Sequence, residues 1–203
     1  MVKTPALQRN FYLQDTRTVA HELLGKLLVR EVSGTRLSGI IVETEAYRGF
    51  DDSASHAHKG PTERCKVMYG QAGHAYIYLT YGIHFMLNFV TEEKFFPAAV
   101  LIRAIVPFEG SEIMRQNRSV RDEKDISNGP AKLTKALSIT KDLNGIDITT
   151  KDKIWVEEYD SAFPRNSDKI ERDTRIGIDY ALKKDREKKW RFFIRHKLEV
   201  VCI

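Results

Sequence analysis

The stretch Ile40-Ile41-Val42-Glu43-Thr44-Glu45-Ala46-Tyr47 (IIVETEAY) decides how this chain is read. In an extended strand, successive side chains point to opposite faces. Ile41, Glu43, Glu45 and Tyr47 then share one face, and Ile40, Val42, Thr44 and Ala46 the other. Upstream, residues 26–32 and 36–47 read as a hairpin turned at Ser33-Gly34-Thr35. A strand that begins apolar and ends in two carboxylates and a tyrosine either meets water along that face or walls a site.

Working outward, two further strands, 74–80 and 83–90, join at Thr80-Tyr81-Gly82, and Pro97 precedes a strand over 98–105. Residues 153–158 and 190–201 complete the strand list. Residues 15–24 carry an apolar face of Val19, Ala20, Leu23 and Leu24 and stop at Gly25, which predicts a helix. Gly129-Pro130 opens a second helix over 131–139, with proline in its first turn. Residues 48–73 form a long loop holding His56, His58, Asp51 and Asp52, and 160–171 a polar loop. Strands and helices mix without regular βαβ alternation and without repeats. The expectation is one α+β domain over 1–203 with a largely antiparallel sheet, residues 1–10 being flexible.

The 203 residues are 42% hydrophobic and 30% charged, enough for a core. No apolar run is long enough to span a membrane. The N-terminus has no apolar signal core, so an intracellular, cytoplasmic protein is expected. Cys65 and Cys202 are the only cysteines, which excludes a cysteine-rich zinc site and suits a reducing compartment. The net charge of +5 is unevenly placed: residues 181–198 carry +6, leaving −1 for the remainder. That block, with Trp190, Phe192 and Phe193 inside it, reads either as a phosphate-contacting surface or as a solvated basic turn. As a phosphate surface it would bind in a salt-sensitive way, because phosphate contacts release counterions.

Three groups of residues carry possible chemistry. Glu43 and Glu45 suit general acid–base work, or end a solvated strand. Tyr76 and Tyr78 share a face, and Tyr81 stands at a hairpin tip beside Ile83. An exposed tip aromatic can wedge into a base stack, or simply cap a turn. His56 and His58 could ligate a metal with Glu43 or Glu45, although helical His-Glu-x-x-His spacing is missing, and Glu43, Glu45, Asp51, Asp52 and His56 could supply the ligands of a nuclease. From the residues alone, a metal-dependent nuclease, a non-catalytic nucleic-acid binder and a carbohydrate hydrolase with paired carboxylates all stay open.

Four blocks, IVETEAYRGFDDSASHAHKG, GHAYIYLTYGIHFMLNFV, VLIRAIVPFEG and NGPAKLTKAL, together resemble the alkyladenine (3-methyladenine, methylpurine) DNA glycosylase family in its compact bacterial form, from about Phe11 to the end. The resemblance implies a curved sheet flanked by helices with a protruding tyrosine-tipped hairpin. It implies a monofunctional base-excision enzyme without cofactor or metal, acting as a monomer on duplex DNA that holds damaged purines, with no membrane partner. Such enzymes flip the target nucleotide out of the duplex. Glu45 matches the carboxylate that activates water, and Arg103 and the Ile178 carbonyl match groups that hold this water and the adjacent phosphate. Tyr47, His56 and Tyr78 match the walls that stack the extruded base, and Asn88 the position that disfavours a guanine 2-amino group. Tyr81 matches the intercalating tyrosine, with Ile83 widening the wedge. One departure stands out: Thr62-Glu63-Arg64-Cys65 replaces the family's Thr-Pro-Arg-Asn, loosening the loop and adding a negative charge near DNA.

Overall fold

The alternation read in the opening stretch belongs to the longest strand of the molecule, Thr35–Arg48 (β2), which is buried along most of its length. The computed structural model describes residues 4–159 and 170–194. β2 pairs antiparallel with Leu27–Val32 (β1) over its first half and with Arg191–Ile194 (β8) near its end. Its other edge carries Ala98–Glu109 (β5) from Ser38 to Arg48. With both edges taken, every residue from Leu37 to Ala46 is buried.

From β5 the sheet continues through His84–Val90 (β4) to Ala75–Thr80 (β3), and from β1 to Ile154–Glu157 (β6). Ile170–Asp173 (β7) pairs with β8. All eight strands among the described residues are antiparallel to their neighbours, and the sheet curls into a half-barrel, giving the α+β fold expected.

The helices are short. Arg9–Tyr12 (α1) and Thr16–Glu22 (α2) lie at the start, and Asp15 caps α2 by accepting the Arg17 N–H at 2.9 Å. Val19, Ala20 and Leu23 are fully buried, and Thr44 donates to the Ala20 carbonyl at 2.7 Å, so α2 covers the core face of β2. Pro130–Ala136 (α4) fills the other predicted helix and ends three residues early. Ser111–Arg118 (α3) was not foreseen; its short polar sequence buries only Met114. A fifth helix, Lys183–Arg186 (α5), precedes β8.

Several boundaries differ from the sequence reading. β5 runs to Glu109, because Ser38 and Gly39 at the start of β2 pair with Glu109 and Pro107. Ile170–Asp173 is a strand where loop was expected, since β8 supplies its partner. Within the stretch 1–10 expected to be flexible, Ala6 and Leu7 are buried and the Leu7 N–H donates to Val156 at 2.8 Å. Residues 160–169 of the polar loop, 195–201 of the last expected strand and Cys202 lie outside the described residues. Among those described, no helix is long and apolar enough to cross a membrane.

Candidate active site

The outer end of β2 delivers Glu45 and Tyr47 to one face of the sheet, while Thr44 and Ala46 go to the core side. Glu45 is fully buried. Its Oε1 accepts the Ile176 N–H at 2.8 Å; its Oε2 accepts the Tyr47 hydroxyl at 2.8 Å and lies 3.2 Å from Arg103 Nη1. Burial pushes the Glu45 carboxyl above the usual range, while Arg103, the Ile176 N–H and the Tyr47 hydroxyl pull the other way. A carboxylate so placed is held in one orientation and kept basic.

Tyr47, Arg103 and Ile176 all line a cavity of about 580 Å³, behind whose wall Glu45 stands. The same cavity gathers His56, Tyr78, Asn88, Ile178 and Tyr81. The His56 and Tyr78 rings meet edge to face at 4.5 Å. His56 Nδ1 lies 2.9 Å from the Tyr76 hydroxyl. Burial, with Arg64 adding to it, lowers His56 to about 4, so the ring is neutral near pH 7, and burial pushes the Tyr78 hydroxyl up to about 12. Asn88 is buried, its amide donating to the carbonyls of Tyr76 at 3.1 Å and Met86 at 3.4 Å. The Ile178 carbonyl accepts the Ala181 N–H at 2.9 Å.

The hairpin tip stands apart. Tyr81 is 89% and Ile83 71% exposed, against a buried Tyr76 on the same hairpin. Tyr81 and Gly82 both have left-handed backbone, with φ of 50° and 71°. That conformation strains a tyrosine and suits glycine.

The wall of the cavity depends on a buried clamp that the sequence did not reveal. Arg175 binds both oxygens of Asp52, at 2.5 and 2.7 Å, and donates to the Ala46 carbonyl at 2.9 Å. Its guanidinium also lies 4.9 Å from the Tyr47 ring centre. Asp185 accepts the Ser53 N–H at 3.0 Å and pairs with Lys188 at 2.7 Å. These contacts fasten the loop after β2 to the segment after β7. Tyr76, Arg64, Met86 and Tyr180 also line the cavity. The period-two spacing pointed at Tyr76 with Tyr78. Nothing in the sequence pointed at Ile176 or Tyr180, which reach the cavity from about 130 residues downstream.

The residues weighed as metal ligands are engaged elsewhere. Asp52 holds Arg175, His56 holds Tyr76, and Glu43 lies 3.3 Å from Arg103 and 3.0 Å from Arg191. Among the described residues, no group of three or more His, Cys, Asp or Glu is gathered as a metal site. In the departing loop the Cys65 N–H donates to Thr62 at 3.1 Å and Cys65 is buried. The added Glu63 charge is paired with Lys66 at 2.7 Å. In the basic block, Lys188 and Arg191 bind Asp185 and Asp173, so those two cations stabilise the fold, while Lys184, Arg186 and Lys189 are exposed.

A curled antiparallel sheet carrying a buried, cation-held carboxylate behind an aromatic cavity defines the class of site. The family model described as methylpurine-DNA glycosylase matches residues 10–198. The chain is 48% identical over 190 residues to a protein of Methanocella arvoryzae, covering 93% of this chain and 92% of that one. It is 45% identical over 197 residues to one of Desulfitobacterium hafniense, covering 93% and 94%, and 46% identical over 198 residues to one of Clostridium perfringens, covering 93% and 95%. All three carry a provisional 3-methyladenine DNA glycosylase name. The chain belongs to the methylpurine-DNA glycosylase family, hydrolases that act on N-glycosyl bonds.

Proposed function

We propose that this protein removes damaged purines (3-methyladenine, 7-methylguanine, hypoxanthine and etheno-adenine) from duplex DNA by hydrolysing the N-glycosidic bond with a water activated by Glu45. The observation that carries the reading is the buried Glu45, gripped by Ile176, Tyr47 and Arg103 directly behind an aromatic cavity. At about 580 Å³ the cavity falls within the 300–1,000 Å³ range of small-molecule sites. A purine enters it only when flipped from the duplex, at an unstacking cost of a few kcal/mol. Stacking against Tyr47, His56 and Tyr78 offsets part of this, at roughly 1–3 kcal/mol per base. Tyr81, widened by Ile83, fills the vacated space. Asn88 disfavours a guanine 2-amino group.

Glu45 takes a proton from water as its oxygen attacks C1′. The electron pair of the N-glycosidic bond leaves with the base, and an abasic site remains. Arg103 and the Ile178 carbonyl hold the water and the neighbouring phosphate. A base already cationic through alkylation leaves neutral and needs no acid. Hypoxanthine and etheno-adenine must gain a proton, so their rates require one group ionised and another protonated and follow a bell in pH. Among the described residues no lysine lines the cavity, so no Schiff base forms there and the strand is left intact.

The test is base release in EDTA from a duplex with one hypoxanthine or one etheno-adenine, by wild type and Glu45→Gln, read as strand breaks appearing only after alkali. Release by wild type and a loss of at least about 100-fold in the variant are expected, in line with the worth of a general base. Undiminished release by Glu45→Gln would remove Glu45 from its role. No release from these or from methylated DNA would leave a binding function.

A further inference from the structure

Glu43 precedes Glu45 by two residues, and the chemistry above makes no use of it. It is buried and lies opposite Ala104 of β5 and Phe193 of β8. The β2–β5 register shifts on either side of it, leaving Val42 and Arg103 without ladder partners. A bulge re-aims the side chain it displaces. Here Arg103 spans both carboxylates, Nε 3.3 Å from Glu43 Oε1 and Nη1 3.2 Å from Glu45 Oε2. The same Glu43 oxygen lies 3.0 Å from Arg191 Nη1. Arg191 in turn binds Asp173 at 2.8 Å and donates to the Thr174 carbonyl at 2.8 Å. Two residues further on, the Ile176 N–H reaches Glu45.

We propose that Glu43 is a positioning residue for the reaction: it shares Arg103 with Glu45 and anchors Arg191, which holds the 173–176 segment, so it sets both the aim and the basicity of the reacting carboxylate. The inference rests on the function proposed above. Among the described residues, the charged and titratable groups around Glu45 are Glu43 and Tyr47 on β2, Arg103 on β5, Arg191 on β8, Tyr78 on β3, and Arg175 and Tyr180 beyond β7. Glu43 opposes ionisation of Glu45 by like charge and also draws on Arg103. Removing its charge lets Glu45 ionise at lower pH. Removing Arg191 makes Glu43 lean harder on Arg103, so Glu45 ionises at higher pH.

The experiment titrates the ¹³C-labelled Glu45 carboxyl, assigned with Glu45→Gln, in wild type, Glu43→Gln, Glu43→Asp and Arg191→Met. Beside it, single-turnover release of 7-methylguanine from a duplex is followed against pH. That base leaves as an existing cation, so its profile reports Glu45 alone. The expected midpoint falls by on the order of one pH unit in Glu43→Gln, rises in Arg191→Met and stays near wild type in Glu43→Asp. The single-turnover rate of Glu43→Gln falls about 10–100-fold while duplex affinity changes less than about twofold. Midpoints that stay put or move in one direction overturn the proposal, as does a rate lost in step with melting temperature and DNA affinity. If Glu43→Gln does not fold, the upward shift in Arg191→Met decides. A wild type that releases no base sinks the proposed function, while the carboxyl titration still decides the network.

Discussion

A single tyrosine shows how a side chain can be costly to the fold, and the proposed function gives that cost a use. Tyr81 has left-handed backbone at φ 50° and is 89% exposed, so it gains little burial in return for its strain. Tyr81→Gly should leave the melting temperature unchanged or slightly raised and weaken binding to a lesion-containing duplex by about 1–3 kcal/mol, the worth of a stacked aromatic. Equal loss on melting and on binding would place the tyrosine in the fold instead. Arg175 is the opposite case. It is buried and holds Asp52 with two hydrogen bonds. Breaking such a pair leaves a buried charge uncompensated, so Arg175→Met should destabilise by roughly 3–5 kcal/mol in chemical denaturation. Arg175→Met with Asp52→Leu should recover much of that loss.

Among the elements, β2 does two jobs. Its core face holds α2 through Thr44, and its outer face holds Glu43, Glu45 and Tyr47. The segment 174–178 completes it, and Gly177 at φ 77° turns the chain between Ile176, whose N–H reaches Glu45, and Ile178, which lines the cavity. A Cβ on Gly177 would meet no atom within 4 Å, so Gly177→Ala costs backbone strain alone, about 1–2 kcal/mol. Gly34, at φ 78° and equally open, is the control in the turn between β1 and β2. Both alanine variants should lose similar stability in thermal melts. Only Gly177→Ala should also lose base release, because only it moves the Ile176 N–H.

At the scale of the whole molecule, acid acts through two part-buried imidazoles. Burial lowers His56 to about 4 from an ordinary 6.5, and His21 is lowered by burial and by Arg172. The unfolded chain therefore binds protons that the folded chain refuses. The stability due to His56 is complete above about pH 6.5 and is lost as pH falls toward 4. Melting temperature should drop across that window, and His56→Gln should flatten the drop; an unchanged slope would show that His56 is charged in the fold.

The β1–β2 hairpin, the tyrosine-tipped hairpin, the antiparallel α+β character and the facing of Glu43, Glu45 and Tyr47 were all legible in the chain, because strand alternation and turn residues are local. The family resemblance, not periodicity, pointed to Glu45 and Arg103 together and to Ile178. The sequence did not announce α3, which buries little, or β7, which is a strand only because β8 lies beside it. Nor did it announce Arg175 holding Asp52, Ile176 on Glu45, or Arg103 divided between two carboxylates, contacts that span 58 to 131 residues of chain. By itself the sequence determined which side chains share a strand face and where the chain turns, since both are set within a few residues. Only the tertiary structure decided that Glu45 is buried, gripped and pushed up in pKa, because desolvation and ion pairing exist only once distant segments close over it.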